Sequence, residues 1–390
     1  MSTKTPRPSE IKSTLSLSGI FGLRMLAVFM FIPIFTLYAS NLSNTSPFLI
    51  GIAVGIYGLT QAIFQLPLGA WSDRLGRKPI IATGLLIFAA GSIIGAFSDS
   101  INGLIVARAL QGMGAVGSTL MALLADLTST KNRTKAMAVM GISIGLSSAL
   151  AIIAGPAIAA HYGLSGVFLT SALLTGGSLG ILYGITPNPP ITTDSQAQAI
   201  PVIQLFKSVL KEPTLLQLDL GIFLLHTLFT ALFFVCPIIL KPLIQDSTFF
   251  YLPILGVSFL LLFPCIIIAE KRTFLAFTLS IVVLFISQFM LIFFHHTMGL
   301  IGIALSLFFL AFNFLEAALP SMISKAAPPE KKGTAMSVYS SAQFLGIFVG
   351  GTLAGIIYTY FHAKGIFIFT TLLTGIWLSM TVAFKAKLVV

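Results

Sequence analysis

Glu316 stands in an otherwise apolar stretch about one turn before Pro320. The chemistry best suited to such a carboxylate is the binding and release of a proton. Desolvation disfavours the charged form of a carboxylate, so a group placed there can hold a proton near neutral pH. The structural alternative is an acid that accepts hydrogen bonds from Asn313 or from a basic neighbour. His226 offers an imidazole that titrates near neutrality, although a lone histidine among apolar residues also serves as a hydrogen-bonded packing residue. Asp219 reads as a solvated acid close to a helix end. Arg108 and Arg24 are the basic counterparts. An arginine in an apolar segment is costly, and it faces a cavity or a partner or snorkels towards the interface. Gln61 and Gln65 are four residues apart and share one helical face. They either line a substrate cavity with Arg24 and Asn313 or hydrogen-bond to neighbouring helices.

A second group of charges forms the string GAWSDRLGRK, from Gly69 to Lys78. Gly76 permits a tight turn, and Arg74, Arg77 and Lys78 belong where lipid head groups are anionic. Asp73 is the unusual member, because a carboxylate at a helix end is stabilised by a nearby helix N-terminus. Asp126 is the expected partner of Arg77. The group reads as a conformational latch whose basic members also set topology.

Several chemistries are excluded. GMGAVG, Gly112 to Gly117, formally matches a dinucleotide fingerprint, but that fingerprint needs a preceding strand. These glycines lie in an apolar helix, where they allow close helix approach. A GxxxxGK[ST] string is absent, so ATP-driven transport has no support in the chain, and no cluster has metal-ligand spacing. His295 and His296 are adjacent on an outer loop, which suits solvent exposure. Cys236 and Cys265 fall most of a membrane thickness apart, too far for a disulfide.

The elements that must position these residues are membrane spans. The chain is 56% hydrophobic and 8% charged, against roughly 25% charged in a soluble domain. Apolar runs recur near 14–38, 50–70, 80–98, 102–125, 137–160 and 165–186, then 215–239, 250–269, 273–294, 299–320, 336–359 and 364–384. Each can cross a hydrocarbon core of about 30 Å. The net charge of +11 does not point to nucleic acid, because the basic residues alternate with the spans. Lys4, Arg7 and Lys12 precede the first span; Arg74, Arg77 and Lys78 follow the second; Lys131, Arg133 and Lys135 follow the fourth. Lys207, Lys211, Lys271, Arg272, Lys325, Lys331, Lys332, Lys385 and Lys387 continue the pattern, whereas the opposite loops offer only Lys241 and Lys364. By the positive-inside rule both termini are expected in the cytoplasm. The first apolar run is too long for a signal-peptide core and is expected to remain as a span.

A stretch containing Pro187, Asn188, Pro189 and Pro190 breaks the hydrophobic pattern and reads as a cytoplasmic linker over 187–213. It divides a six-helix bundle, 1–186, from a second, 214–390. A faint repeat supports the division: Lys135-Ala136-Met137-Ala138-Val139 and Thr334-Ala335-Met336-Ser337-Val338 lie 199 residues apart. The fold class is therefore an all-α membrane protein of twelve helices in two pseudo-symmetric bundles. Gly51 with Gly55 and Gly346 with Gly350 have the spacing that lets helix backbones touch, and these pairs are expected to meet.

GAWSDRLGRK resembles the cytoplasmic loop signature of the major facilitator superfamily, with Gly69, Asp73, Arg74, Gly76, Arg77 and Lys78 at matching positions. IVARALQGMGAVG resembles a second motif of that family, through Arg108, Gln111, Gly112 and Gly114. LRMLAVFMFIP, AFNFLEAALPSMISK and KGTAMSVYSSAQFLG extend the likeness to the drug:H⁺ antiporter branch. The resemblance implies that Asp73 lies beside the start of the eleventh span, that Arg108 takes part in proton transfer, and that the first, fourth, seventh and tenth spans line the cavity. The branch often shows two glycines after a GP pair, whereas here Gly155-Pro156 is followed by Ala159 and Ala160. A cytoplasmic domain known after the twelfth span in one relative is not expected, since the chain ends at Val390. The expected function is proton-coupled export of a hydrophobic or amphipathic small molecule from a bacterial inner membrane. Its partners are protons, lipids and that substrate, with no nucleic acid, no cofactor and no metal; the sequence does not set the oligomeric state and is compatible with a monomer. Glu316, Arg108 and His226 would serve proton coupling. An importer of a nutrient or small anion on the same scaffold, or a non-transporting receptor, are the alternatives.

Overall fold

The computed structural model describes residues 8–188, 209–244, 249–328 and 331–383. Lys4, Arg7, Lys207, Lys385, Lys387 and most of the predicted linker lie outside them. The described chain is helical: α1 (Pro8–Phe29), α2 (Phe35–Ala39), α3 (Pro47–Leu75), α4 (Arg77–Ala96), α5 (Ile101–Met113), α6 (Gly117–Asp126) and α7 (Thr130–Gly184), then α8 (Pro213–Leu240), α9 (Tyr251–Lys271), α10 (Thr273–Phe294), α11 (Met298–Ala326) and α12 (Lys332–Ala383). Among the described residues nine helices are long and apolar enough to cross a membrane, with α5 and α6 counted as one. This is a multi-pass membrane protein.

The helices break where their sequences require it. The first apolar run is not one continuous helix. α1 stops at Phe29, and Ile32 and Ile34 bond to Phe29 and Phe31 in three-residue turns around Pro33, which has no N–H to continue the ladder. Gly155 answers this interruption, because a Cβ there would run into the Met30 carbonyl. Between α3 and α4, Gly76 has φ 96°, a conformation only glycine adopts without strain.

α7 and α12 each contain a single non-helical residue, Gly163 (φ 63°, ψ −165°) and His362 (φ 53°, ψ −157°). These breaks are 199 residues apart, the same offset as the faint sequence repeat. Gly166 and Gly365 follow at the same register, and a Cβ on either would collide with Tyr162 or Phe361 respectively. The two halves thus share a hinge that one makes with glycine and the other with histidine. Backbone held in this region costs a non-glycine residue about 1–3 kcal/mol. His362→Gly is therefore expected to raise the melting temperature of the purified protein, and Gly163→Ala to lower it. A fall for both would show that the His362 ring contact with Tyr358 outweighs the backbone term.

The described residues form two compact units. The first comprises the described residues of 8–38, 42–44 and 60–188, and it packs α1 against α7, and α4 against α5 and α7. The second comprises 39–41, 45–59 and the described residues from 209 to 383, so the N-terminal half of α3 packs with this unit. In it α8 is the central helix. The buried share of its apolar window is 89%, against 44% in α10 and in α11, as expected of a helix apolar all round. Asp219, His226, Thr227 and Thr230 of α8 are therefore held inside the unit, while Thr214 and Gln217 near its start are partly exposed.

Gly51 and Gly55 do meet α12, but at a different pair from the one predicted. A Cβ on Gly51 would lie 2.9 Å from the Gly355 Cα, and one on Gly55 would lie 2.6 Å from the Phe348 carbonyl oxygen. Gly346 and Gly350 instead press against Phe223 and Thr227 of α8. α12 carries two glycine faces, and sequence spacing alone does not assign each to its neighbour.

Candidate functional site

In the second unit α8, α11 and α12 bring together an acid, an amide and an imidazole. The Gln343 amide nitrogen lies 3.0 Å from Glu316 Oε1, to which it donates, and 2.9 Å from His226 Nε2. His226 Nδ1 is 3.3 Å from the Ile222 carbonyl oxygen. A carbonyl only accepts, so this network assigns the hydrogen to Nδ1 and leaves Nε2 to accept from Gln343. Glu316 Oε2 is 3.8 Å from His226 Nε2 and has no hydrogen-bond partner among the described residues. Gln343, which sequence reasoning missed, thus takes the role expected of Asn313, whose amide nitrogen is without a partner among the described residues. The SAQF string on α12 was its only trace. Beside the cluster Phe312 stacks on Phe229 at 4.6 Å and lies 5.6 Å from the His226 ring. An apolar wall therefore flanks the one polar bridge.

The Glu316 side chain is 37% exposed although its Oε2 is buried, and Asp219 is 4% exposed, not the solvated helix-end acid expected. Depth along a helix does not set burial when the helix lies at the centre of its unit. His295 is likewise buried rather than solvent-facing, its Nδ1 2.9 Å from the Leu291 carbonyl. Burial pulls its pKa below the ordinary value, against the raising effect of that hydrogen bond and with help from the charges of His296 and Lys364.

In the first unit the two arginines take separate partners. Arg24 is 1% exposed and donates to Gln61 Oε1 at 3.1 Å and to the Gly114 carbonyl at 3.2 Å. That carbonyl is available because the helix does not run through the glycine string. α5 ends at Met113 and α6 starts at Gly117, which corrects the expectation of a continuous helix there. Gly114 does make a close approach, since a Cβ would strike the Gly84 carbonyl. Gln61 is engaged by Arg24, and Gln65 is 6% exposed. Arg108 is 6% exposed, donates to Gln111 Oε1 at 2.8 Å, and lies over the Phe31 and Phe35 rings at 5.0 and 5.8 Å. Gln111 in turn donates to Ser92 Oγ at 2.8 Å. Desolvated contacts of this kind hold a guanidinium by about 1–2 kcal/mol per ring, so Arg108 does not snorkel.

At the α3–α4 turn Arg77 pairs with Asp73, bonds to Asp126 Oδ2 at 3.0 Å and donates to Ser72 Oγ at 2.7 Å. Asp73 is 62% exposed and Asp126 42%. Pairs this exposed stabilise a fold by about 0–1 kcal/mol, too little to explain so dense a cluster as a fold-stabilising device. Lys78 is buried and donates to the Thr186 carbonyl at 2.6 Å, closing the end of α7. Gly69 has room for a Cβ, 3.7 Å from Ser118 Oγ, and Arg74 is exposed. A group of three or more metal-ligating side chains is absent among the described residues.

A sequence profile described as Major Facilitator Superfamily matches residues 17–351 and 271–387. The chain belongs to the Major Facilitator Superfamily. Members of this superfamily are transporters, not enzymes. It is 41% identical over 387 residues to the inner membrane transport protein YajR of Escherichia coli K12, covering 97% of this chain and 84% of that one. This is consistent with the drug:H⁺ antiporter branch of the superfamily. Over 114 residues, 29% of this chain and 27% of that one, it is 36% identical to the class B tetracycline resistance protein of Escherichia coli. A bacterial homolog of the human lysosomal transporter Spinster, solved inward-facing and occupied, shares the superfamily fold at TM-score 0.79 and 15% identity, over 98% of this chain and 97% of that one.

Proposed function

We propose that this superfamily member is a proton-coupled secondary transporter of the inner membrane that exports hydrophobic or amphipathic small molecules by alternating access. The observation that carries this reading is the Glu316–Gln343–His226 bridge beside the Phe229–Phe312 stack. It sets a group able to gain and lose a proton against a surface that attracts apolar solutes. Nine candidate spans, the breaks inside α7 and α12, and the apolar start of α9 support twelve helices in two bundles. The charge pattern supports cytoplasmic termini. Arg24, Gln61, Gln65 and Asn313 are proposed for the cavity, Arg108 for proton coupling, and the Asp73–Arg77–Asp126 group for the latch. Export is favoured over import by the likeness to a resistance protein. The test is uptake of a lipophilic fluorescent dye into inside-out vesicles containing the protein. An acid interior should drive accumulation, and collapse of the pH gradient should release the dye. Accumulation only in right-side-out vesicles would establish import instead.

A further inference from the structure

Asp219 is a carboxyl with nothing to hold its charge. It lies on the central helix α8, is 4% exposed, and neither of its oxygens has a hydrogen-bond partner among the described residues. An ionised carboxylate in such surroundings is far more costly than a neutral acid. Carboxylates kept for structure are instead paired or hydrogen-bonded, as Glu10 is here by Ser129 and Asn132 at the head of α7. Asp219 also stands seven residues before His226, on the same face of α8, and so about 10 Å nearer the start of that helix.

A second unpartnered group links it to the Glu316 cluster. Tyr339 of α12 is 5% exposed and its hydroxyl has no hydrogen-bond partner among the described residues. Gly346 packs on Phe223 and His226 and Gly350 on Thr227, a parallel register that brings Tyr339, seven residues before Gly346, to the level of Asp219, seven before His226. Tyr339 and Gln343 are four residues apart on one face of α12, so the face that bridges Glu316 to His226 continues to Asp219. The titratable groups around Asp219 are thus Tyr339 from α12, Glu316 of α11 through Tyr339, and His226 further along α8. A basic side chain paired with Asp219 is absent among the described residues.

We propose that Asp219 is a second proton-binding site, in series with Glu316 by way of the Tyr339 hydroxyl. The Tyr339 hydroxyl bonds to neither acid in this structure, so the exchange requires it to swing into hydrogen-bond reach of both. The Glu316 acid then gives its proton to the Tyr339 oxygen while the Tyr339 hydrogen passes to Asp219, so one O–H bond breaks and one forms at each step. Asp219 lies near the start of α8, and under the proposed orientation it is the station closer to the cytoplasm. An alkali cation in place of the proton would need several oxygen ligands, and the site offers one carboxyl and one phenol.

The proposal rests on proton coupling as the function, but its test does not require transport. Infrared difference spectra of the full-length purified protein, recorded on a pH jump in H₂O and D₂O, read the C=O stretch of protonated carboxyls directly. Wild type should show two such bands. Asp219→Asn should lose one and keep the other, Glu316→Gln should do the reverse, and Asp219→Glu should move the first band without abolishing it. Tyr339→Phe should keep both bands and slow their exchange at least several-fold. Unchanged bands in Asp219→Asn, or a band that disappears when sodium replaces choline in the buffer, would overturn the proposal. If Asp219→Asn fails to fold, the band shift in Asp219→Glu decides. Failure of ΔpH-driven dye accumulation with the Asp219 band intact would refute the proposed coupling and leave this site standing.

Discussion

Glu316→Gln is expected to retain exchange of substrate across the membrane and to lose accumulation driven by a pH gradient. The Gln343 amide now donates to Glu316 Oε1, and a glutamine at position 316 preserves an acceptor oxygen there while removing the titratable one. With one proton per substrate, a one-unit gradient supports about tenfold accumulation, or about 1.4 kcal/mol. In the variant this should fall to the equilibrium distribution. Glu316→Asp shortens the reach to Gln343 by one methylene and should leave partial coupling with a displaced pH optimum. Proteoliposomes assayed for both counterflow and ΔpH-driven uptake separate the outcomes. A Glu316→Gln protein that still concentrates substrate would remove this carboxyl as the carrier. Gln343→Leu should weaken coupling without abolishing exchange, because it breaks the bridge to His226 while sparing the acid.

The second large effect belongs to the α3–α4 turn. Asp73→Asn should reduce transport about tenfold or more, a bias of about 1.4 kcal/mol or more between the two access states, with little change in thermal stability or insertion. The physical reason is the mismatch between density and strength. Arg77 is engaged by Asp73, Asp126 and Ser72 together, yet pairs this exposed contribute little to fold stability. Membrane orientation depends on Lys and Arg and not on Asp. Arg77→Ala removes the shared partner and should resemble Asp73→Asn in flux. Normal flux from a well-inserted Asp73→Asn protein would refute the latch. A drop in melting temperature as large as the drop in flux would reassign the cluster to folding.

Composition and spacing alone determined that this chain is a membrane protein of repeated apolar spans. A hydrocarbon core demands about twenty apolar residues for each crossing, and no soluble fold uses such runs so often. Spacing also identified the residue types able to do chemistry, because a charge among apolar residues is conspicuous wherever it ends up. The repeat offset could be read from two short strings, and it recurs at Gly163 and His362 because the same hinge geometry is used twice. Tertiary structure decided the rest. Gln343 and Tyr339 are ordinary helix residues until packing turns one face of α12 onto α8 and α11. Asp219 looks like a surface acid until α8 is found at the centre of its unit. The glycine string in the fourth apolar run resembles continuous helix until Arg24 takes the Gly114 carbonyl freed by its interruption. Hydropathy reports how far along a helix a residue lies, whereas burial and partners depend on which face meets which neighbour, and helical periodicity alone does not name the neighbour.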